Sequence, residues 1–125
     1  PEPVPPEPQI TLSREQVYFL PESSLLLEPA KEKLKDLRDR ISSENVRITA
    51  VEGHCALYGT EESSVWLSEE RAKNVYAYLR QIGTDFDENP AVEGYGGRKP
   101  VTRDQDTQEL NRRVEILIET ITYRE

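Results

Sequence analysis

The sequence predicts an α/β domain, an α+β sandwich in which helices pack on one face of a small mixed sheet of about four strands. Two patterns support this prediction. Residues 46–50 and 113–118 alternate apolar and polar side chains, as strands with one buried face do. Residues 28–41 and 60–82 instead carry apolar side chains at helical spacing. Because strands and helices alternate along the chain, we expect the order βαβαββ.

The chain is expected to begin with a linker and a first βα unit. Residues 1–9 contain five prolines and two glutamates, which favours an extended spacer, so we place the folded domain at residues 10–125. A strand is predicted at residues 17–20, a short apolar run that ends at a proline. A helix is predicted from Glu28, with Pro29 in its first turn. Its apolar stripe consists of Ala30, Leu34, Leu37 and Ile41.

A second strand and a second helix follow. The alternation that starts at Val46 predicts the strand, and Gly53 permits a sharp exit from it. Thr60 is a suitable N-cap and Gly83 a good C-terminal stop, so we expect a helix from Thr60 to about Ile82. Its predicted inner face consists of Ala72, Val75, Leu79 and Ile82. The helix also carries three aromatic residues that we expect to be packing residues: Trp66, Tyr76 and Tyr78.

The last third of the chain is expected to hold two further strands. We predict a loop at residues 84–90, a short strand at 91–95 and a flexible turn at 94–100. The polar segment 103–109 is predicted to be helical only briefly. The final strand is the clearest, because every second side chain of residues 113–118 is apolar and lies on one face. These inward residues are Val114, Ile116 and Ile118.

Composition excludes several classes of function. The 125 residues are 35% hydrophobic and carry a net charge of −8, whereas a nucleic-acid partner requires a basic face. No apolar run approaches the roughly 20 residues that cross a bilayer, so we expect no membrane insertion by this segment. The chain contains no Met. Together with the stiff first segment, this suggests a processed piece held away from an upstream domain or anchor.

No catalytic or metal-binding arrangement emerges from the sequence. His54 and Cys55 are the only histidine and cysteine, and as neighbours on an extended strand they point to opposite faces. A zinc site would need further ligands of these types. The glycines of segment 94–97 lack a phosphate-binding spacing. We therefore predict a non-enzymatic domain without cofactor or metal, in which His54 supports its loop through hydrogen bonds.

Four features, in order along the chain, resemble a known family. They are Phe19 followed by Ser23-Ser24-Leu25, a hydrophobic strand running into Gly53-His54, the segment LSEERAKNVYAYL (67–79), and the pair GYGGRKPV (94–101) and NRRVEI (111–116). This ordered set resembles the OmpA-like C-terminal domain, the periplasmic module that anchors bacterial outer-membrane proteins and lipoproteins to peptidoglycan. The resemblance covers almost everything from Ile10 to Ile121 and implies the OmpA-C-like fold.

The resemblance implies binding rather than catalysis. In such domains a pocket beside the second helix takes the diaminopimelate side chain of the peptidoglycan stem peptide. The family's helix arginine, here Arg71, would meet the ligand carboxylate as a bidentate fork. Asn111 and Arg112 match the family's pocket-edge positions, with a structural role in holding the last strand as the alternative. The family also implies a periplasmic location and an outer-membrane or lipoprotein-type anchor.

The sequence departs from the family pattern at the positions that carry the chemistry. Where the family has Gly-His-Thr-Asp, this chain has Ala56 in place of the acid that meets the ligand's ammonium. Ser64 replaces an asparagine, and Leu20 replaces an acid after Phe19. Loss of one charge-assisted hydrogen bond costs about 1.5–3 kcal/mol, roughly 10- to 150-fold in affinity.

Three functions are compatible with these residues. The first is a cell-envelope domain of the peptidoglycan-anchoring type whose diaminopimelate site is degenerate, so that peptidoglycan binding is weak or lost. The second is a working binder with altered specificity, for a stem peptide with ornithine or lysine. These have an amine but no distal carboxylate, so Arg71 would need another partner. The third is an interaction module that binds another envelope protein through exposed aromatic residues such as Trp66 or Tyr58.

Overall fold

The computed structural model describes residues 7–41, 45–57, 59–84 and 86–123. Strand β1 (Pro8–Tyr18) precedes helix α1 (Glu28–Ile41), and strand β2 (Val46–Gly53) precedes helix α2 (Glu61–Gln81). Strand β3 (Phe86–Gly94), a short 3₁₀-helix (Gln105–Leu110) and strand β4 (Arg113–Tyr123) complete the order. None of the helices in these ranges is long and apolar enough to cross a membrane.

The four strands form one mixed sheet in the order β1-β4-β2-β3. Strand β4 lies between β1 and β2 and is antiparallel to both, while β3 runs parallel to β2 along the other edge. This arrangement confirms the predicted α/β sandwich with a four-stranded mixed sheet and the order βαβαββ. The central position of β4 explains why its alternation of apolar and polar residues is the clearest in the chain.

Both helices pack on the same face of the sheet. Four residues of α1 are buried, and they are the predicted stripe Ala30, Leu34, Leu37 and Ile41. The predicted inner face of α2 is also buried at Ala72, Val75 and Leu79, with Ile82 packed against its edge. From the sheet, the core receives Val17, Ile48, Val51, Val114, Ile116 and Ile118.

The two edge strands are longer than the sequence predicted. Strand β1 begins at Pro8, not at residue 17, and pairs along its whole length with β4. Strand β3 begins at Phe86, within the predicted loop 84–90. Both contain a proline (Pro8 and Pro90), which an edge strand tolerates because one side of its backbone has no partner. Residues 8–9 of the expected linker therefore belong to the sheet, and residues 1–6 lie outside the described chain.

A β-bulge in β2 interrupts its predicted alternation. The pairing with β4 shifts by one residue between Ile48 and Ala50, so that Ile48 pairs with Ile118 and Ala50 with Leu117. As a result, Ile48 and Val51 both reach the helix-covered face, although they are three residues apart. Ala50, expected to be inward by strict alternation, is shifted to the opposite face beside Leu117.

Glycines at the ends of β2 and β3 allow α2 to approach the sheet closely. Gly53 and Gly94 are paired across the two parallel strands. A Cβ atom on Gly53 would lie 1.9 Å from the carbonyl oxygen of Ser68, and one on Gly94 would lie 2.4 Å from the backbone nitrogen of Glu69. The second turn of α2 therefore rests directly on the strand ends. This contact positions the N-terminal half of α2 beside the loop that leaves β2.

Candidate functional site

A cavity of about 420 Å³ opens beside the N-terminal half of α2. Its walls come from the turn after β1, from the loop between β2 and α2, from α2 itself and from the segment before β4. The lining residues are Pro21, Glu22, Cys55, Ala56, Gly59, Ser63, Ser64, Trp66, Leu67, Arg71 and Arg112. The set is mainly apolar and carries one acid and two arginines.

The guanidinium of Arg71 is held by the protein itself. The residue is 0% exposed, although its atoms contribute to the cavity wall. Its Nε donates to the carbonyl oxygen of Ser23 at 2.8 Å, and its Nη2 donates to that of Leu20 at 3.1 Å. Nη1 donates to the carbonyl oxygen of His54 at 2.9 Å and to Cys55 Sγ at 3.4 Å. Arg71 thus joins the turn after β1 to the loop after β2.

No carboxylate of the described residues forms an ion pair with Arg71. Burial lowers the pKa of its guanidinium, and the nearby charge of Arg112 lowers this pKa further. The guanidinium carbon lies 5.3 Å from the centre of the Phe19 ring, a cation–π contact. Carbonyl dipoles and an aromatic face therefore solvate this buried cation. Most of its hydrogen-bonding capacity is used before any ligand arrives.

The turn after β1 presents an acid to the cavity. The Ser23 N–H donates to the carbonyl oxygen of Leu20 at 3.2 Å, which closes a four-residue turn with Pro21 and Glu22 at its centre. Glu22 has φ +55°, the left-handed value that a type II turn requires at this position and that Gly or Asn normally supplies. A non-glycine residue in this region costs on the order of 1–3 kcal/mol. The two carbonyl bonds from Arg71 hold the turn in this conformation.

Three residues at which the sequence departs from the family pattern have different positions. Ala56 and Ser64 both line the cavity, so their predicted location is consistent with the geometry. Leu20 does not line it: its side chain is 55% exposed, and only its carbonyl takes part, as an acceptor for Arg71. The acidic residue that lines the cavity from this turn is Glu22, two residues later in the chain.

Asn111 and Arg112 are adjacent but have separate environments. Asn111 is fully buried, and its Oδ1 accepts from the Val101 N–H at 2.8 Å. Its Nδ2 donates to the Thr102 carbonyl at 2.8 Å and to Gln108 Oε1 at 3.0 Å. These bonds tie the segment 101–102 to the end of the 3₁₀-helix, just before β4, which is a structural role like the alternative considered for Asn111. Arg112, by contrast, is half-buried and lines the cavity, with its Nε 3.4 Å from the Phe19 carbonyl.

Cys55 belongs to the cavity wall, whereas His54 faces the opposite side of the sheet. Cys55 is buried, and its thiol donates to the Ser64 carbonyl at 3.2 Å. Burial raises the pKa of this thiol, which disfavours the reactive thiolate. The His54 ring stacks on Tyr95, with 5.6 Å between the ring centres. The predicted divergence of these two neighbouring side chains is therefore confirmed.

His54 supports its loop mainly through its backbone and its stacked ring. Its N–H donates to the Arg113 carbonyl at 2.8 Å. Its Nε2 lies 3.1 Å from Glu115 Oε2, but neither ring nitrogen makes an aligned hydrogen bond with a described residue. The hydrogen bonds that His54 contributes to its loop are therefore those of its backbone, whose carbonyl oxygen also accepts from Arg71 at 2.9 Å. Burial and the charge of Arg113 lower the pKa of His54 to about 4, so the ring is neutral at pH 7.

His54 belongs to a cluster with two acids, and arginines already pair with one of these acids, Glu115. Glu52, His54 and Glu115 place one potential metal-ligand atom each within 4.8 Å of one another. However, Glu115 Oε2 lies 3.2 Å from Arg113 Nη2 and 3.4 Å from Arg14 Nη1. A metal ion would have to compete with these two cations for the same oxygen. The arrangement is that of an ion-pair network on the open face of the sheet.

Sequence reasoning missed one residue that lines the cavity, Glu22, and one that supports the glycine-rich turn, Ser68. Glu22 was not singled out, because its backbone conformation is unusual for a glutamate. Ser68 is buried, and its Oγ accepts from the Gly96 N–H at 2.9 Å, fixing the glycine-rich turn. Trp66, expected to be a packing residue of α2 and also considered as an exposed aromatic for partner binding, is 62% exposed and lines the cavity. Its position at i−5 from Arg71 on α2 could have suggested a separate face of the helix.

Several solved structures resemble this chain in fold. The crystal structure of the peptidoglycan-associated lipoprotein from Burkholderia pseudomallei is 23% identical, with a TM-score of 0.71 over 82% of this chain and 88% of that one. The OmpA-like domain of FopA1 from Francisella tularensis is 18% identical, with a TM-score of 0.71 over 97% and 85%. The C-terminal domain of Helicobacter pylori MotB is 22% identical, with a TM-score of 0.69 over 83% of each chain.

These TM-scores, over most of each chain, establish a shared fold. The search of curated protein sequences found no match. The sequence model of the OmpA family matches residues 18–113, a span that includes the residues lining the cavity, both α-helices and the strands β2 and β3. The chain therefore belongs to the OmpA family.

Proposed function

We propose that this chain is a non-catalytic periplasmic domain of a bacterial cell-envelope protein, of the peptidoglycan-anchoring type, whose diaminopimelate site is degenerate. Binding to diaminopimelate-type peptidoglycan is accordingly weak or absent. The observation that carries this proposal is the position of Ala56. It lines the cavity that Arg71 and Arg112 also line, at the family position of the acid, and its methyl group accepts no hydrogen bond.

The state of Arg71 supports the same conclusion. Recognition of the distal carboxylate of diaminopimelate requires a guanidinium with two free, parallel N–H groups. In this chain Arg71 donates to three backbone carbonyls and to a thiol, and it has no exposed surface. A ligand carboxylate would have to displace one of these bonds, which reduces the net gain from binding. The diaminopimelate terminus therefore meets neither partner of the family pattern: position 56 carries no acid, and Arg71 is already hydrogen-bonded by the protein.

The relatives support the cellular setting of the proposal. One similar structure is a peptidoglycan-associated lipoprotein, and others are described as the periplasmic domain of MotB. We infer a periplasmic location for this domain, with an outer-membrane or lipoprotein-type anchor outside the segment. Such an anchor would hold the domain near the cell wall even where its own affinity for the wall is low.

Co-sedimentation with insoluble sacculi tests the proposal. The purified domain is mixed with sacculi of the diaminopimelate type and of the lysine type, and the pelleted fraction is measured over a range of protein concentrations. A well-conserved OmpA-like domain with the aspartate at the position of Ala56 serves as the positive control. With diaminopimelate sacculi we expect the control to pellet and this domain to remain in the supernatant. Saturable pelleting of this domain with those sacculi would refute the degenerate site.

A further inference from the structure

The cavity retains one acid that no residue of the described structure neutralises. Glu22, an exposed residue, lines the cavity together with Arg71 and Arg112. Among the described residues, its carboxylate takes part in no hydrogen bond and no ion pair. A carboxylate that shares a cavity with two arginines, yet pairs with neither, is available to a ligand's cation.

The backbone conformation of Glu22 is energetically unfavourable. Glu22 occupies the left-handed position of the turn, where glycine is preferred. The turn is fixed on both sides, because Arg71 binds the carbonyls of Leu20 and Ser23. Arg71 therefore acts as a positioning residue for Glu22. This arrangement gives the guanidinium a role that needs no ligand carboxylate.

Trp66 adds a second feature suited to a cation. It is the chain's only tryptophan and lines the same cavity, with 62% of its surface exposed. An exposed indole face attracts ammonium groups through its quadrupole. Pro21 and Leu67 provide apolar walls for an aliphatic stem between the peptide and its amine. The remaining charged group, Arg112, is suited to a peptide carbonyl or carboxylate.

We propose that Glu22 is the specificity-determining acid of this cavity and that it recognises a primary amine on an aliphatic side chain, such as that of a lysine- or ornithine-type stem peptide. The proposal rests on the function proposed above and names the ligand class that replaces diaminopimelate. A carboxylate on the same terminal carbon would stand beside Glu22, while Arg71 is already engaged by carbonyls. The like charges disfavour diaminopimelate relative to a simple amine.

Tryptophan fluorescence gives a direct readout, because Trp66 is the only tryptophan and lines the cavity. The domain is titrated with soluble muropeptides of the lysine type and of the diaminopimelate type. For wild type we expect saturable binding of the lysine type and at least tenfold weaker binding of the diaminopimelate type. Glu22→Gln should lose at least tenfold in affinity for the lysine type, and Glu22→Asp should retain part of it.

Two further variants separate charge from folding. Glu22→Gly removes the acid and also relieves the left-handed conformation, so it should lose binding while unfolding at a higher denaturant concentration than wild type. Glu109→Gln makes the same change in net charge at an exposed residue outside the cavity and should bind like wild type. If wild type does not bind the lysine type, or if Glu22→Gln binds it as tightly as wild type does, the proposed role of Glu22 is overturned. Tight diaminopimelate binding that is independent of Glu22 instead overturns the function proposed above.

Discussion

Restoring the missing acid should restore affinity for diaminopimelate. Ala56 is only partly buried and borders a cavity of about 420 Å³, so an aspartate at this position has room without displacing core residues. The new carboxylate would share the cavity with Arg71 and Arg112, and these charges keep it ionised. A charge-assisted hydrogen bond to the ligand's ammonium contributes about 1.5–3 kcal/mol, so Ala56→Asp should raise affinity roughly 10- to 150-fold.

Calorimetric titration with a soluble diaminopimelate muropeptide measures this gain. Ala56→Asn is the matched control, because it has nearly the same shape and no charge, and we expect little gain from it. Arg71→Ala is unsuitable as a control, since it would remove the four hydrogen bonds that hold the turn and the loop together. If Ala56→Asp folds normally and binds no better than wild type, the lost acid is not the defect. An equal gain from Ala56→Asn would show that charge is not the cause.

Three further predictions concern stability and are checked by chemical denaturation. Leu79 is 0% exposed, so Leu79→Ala should lower the free energy of unfolding by about 2–5 kcal/mol, and a loss below about 1 kcal/mol would contradict the assigned helix face. Gly53→Ala should destabilise strongly, because its Cβ would lie 1.9 Å from the Ser68 carbonyl oxygen; a neutral effect would contradict the close contact of α2 with β2. His54 has a pKa lowered from 6.5 to about 4, so the unfolded state takes up its proton first as pH falls. Wild type should therefore lose on the order of 2 kcal/mol between pH 7 and pH 5, and His54→Gln should lose less; equal losses would contradict a buried neutral His54.

The sequence predicted those elements of the fold in which the buried positions must be apolar. The stripe of α1 and the alternation of β4 place apolar side chains where the core requires them, so periodicity identifies both elements. The N-cap of α2 could also be predicted from sequence, because a threonine hydroxyl satisfies a free N–H of the first helical turn. In the structure the Ser63 N–H donates to Thr60 Oγ1 at 3.1 Å.

The remaining features depend on partners distant in sequence. The first half of β1 is exposed, and its strand conformation follows from hydrogen bonding to β4, for which its own residues carry no pattern. The bulge in β2 is likewise set by its pairing with β4. At the site, the bonds of Arg71 end on backbone carbonyls, which every residue has, so no sequence motif marks them. The family resemblance located Ala56 but gave no reason to select Glu22.

The proposed degeneracy of the site is tested most directly by calorimetry of the wild-type domain with a soluble diaminopimelate muropeptide. The ligand's ammonium finds a methyl group at Ala56, and its carboxylate finds Arg71 bonded to three carbonyls. We predict no saturable heat under conditions in which an OmpA-like domain with an aspartate at this position binds measurably. A saturable isotherm for the wild type, as tight as that of the control domain, would contradict the account.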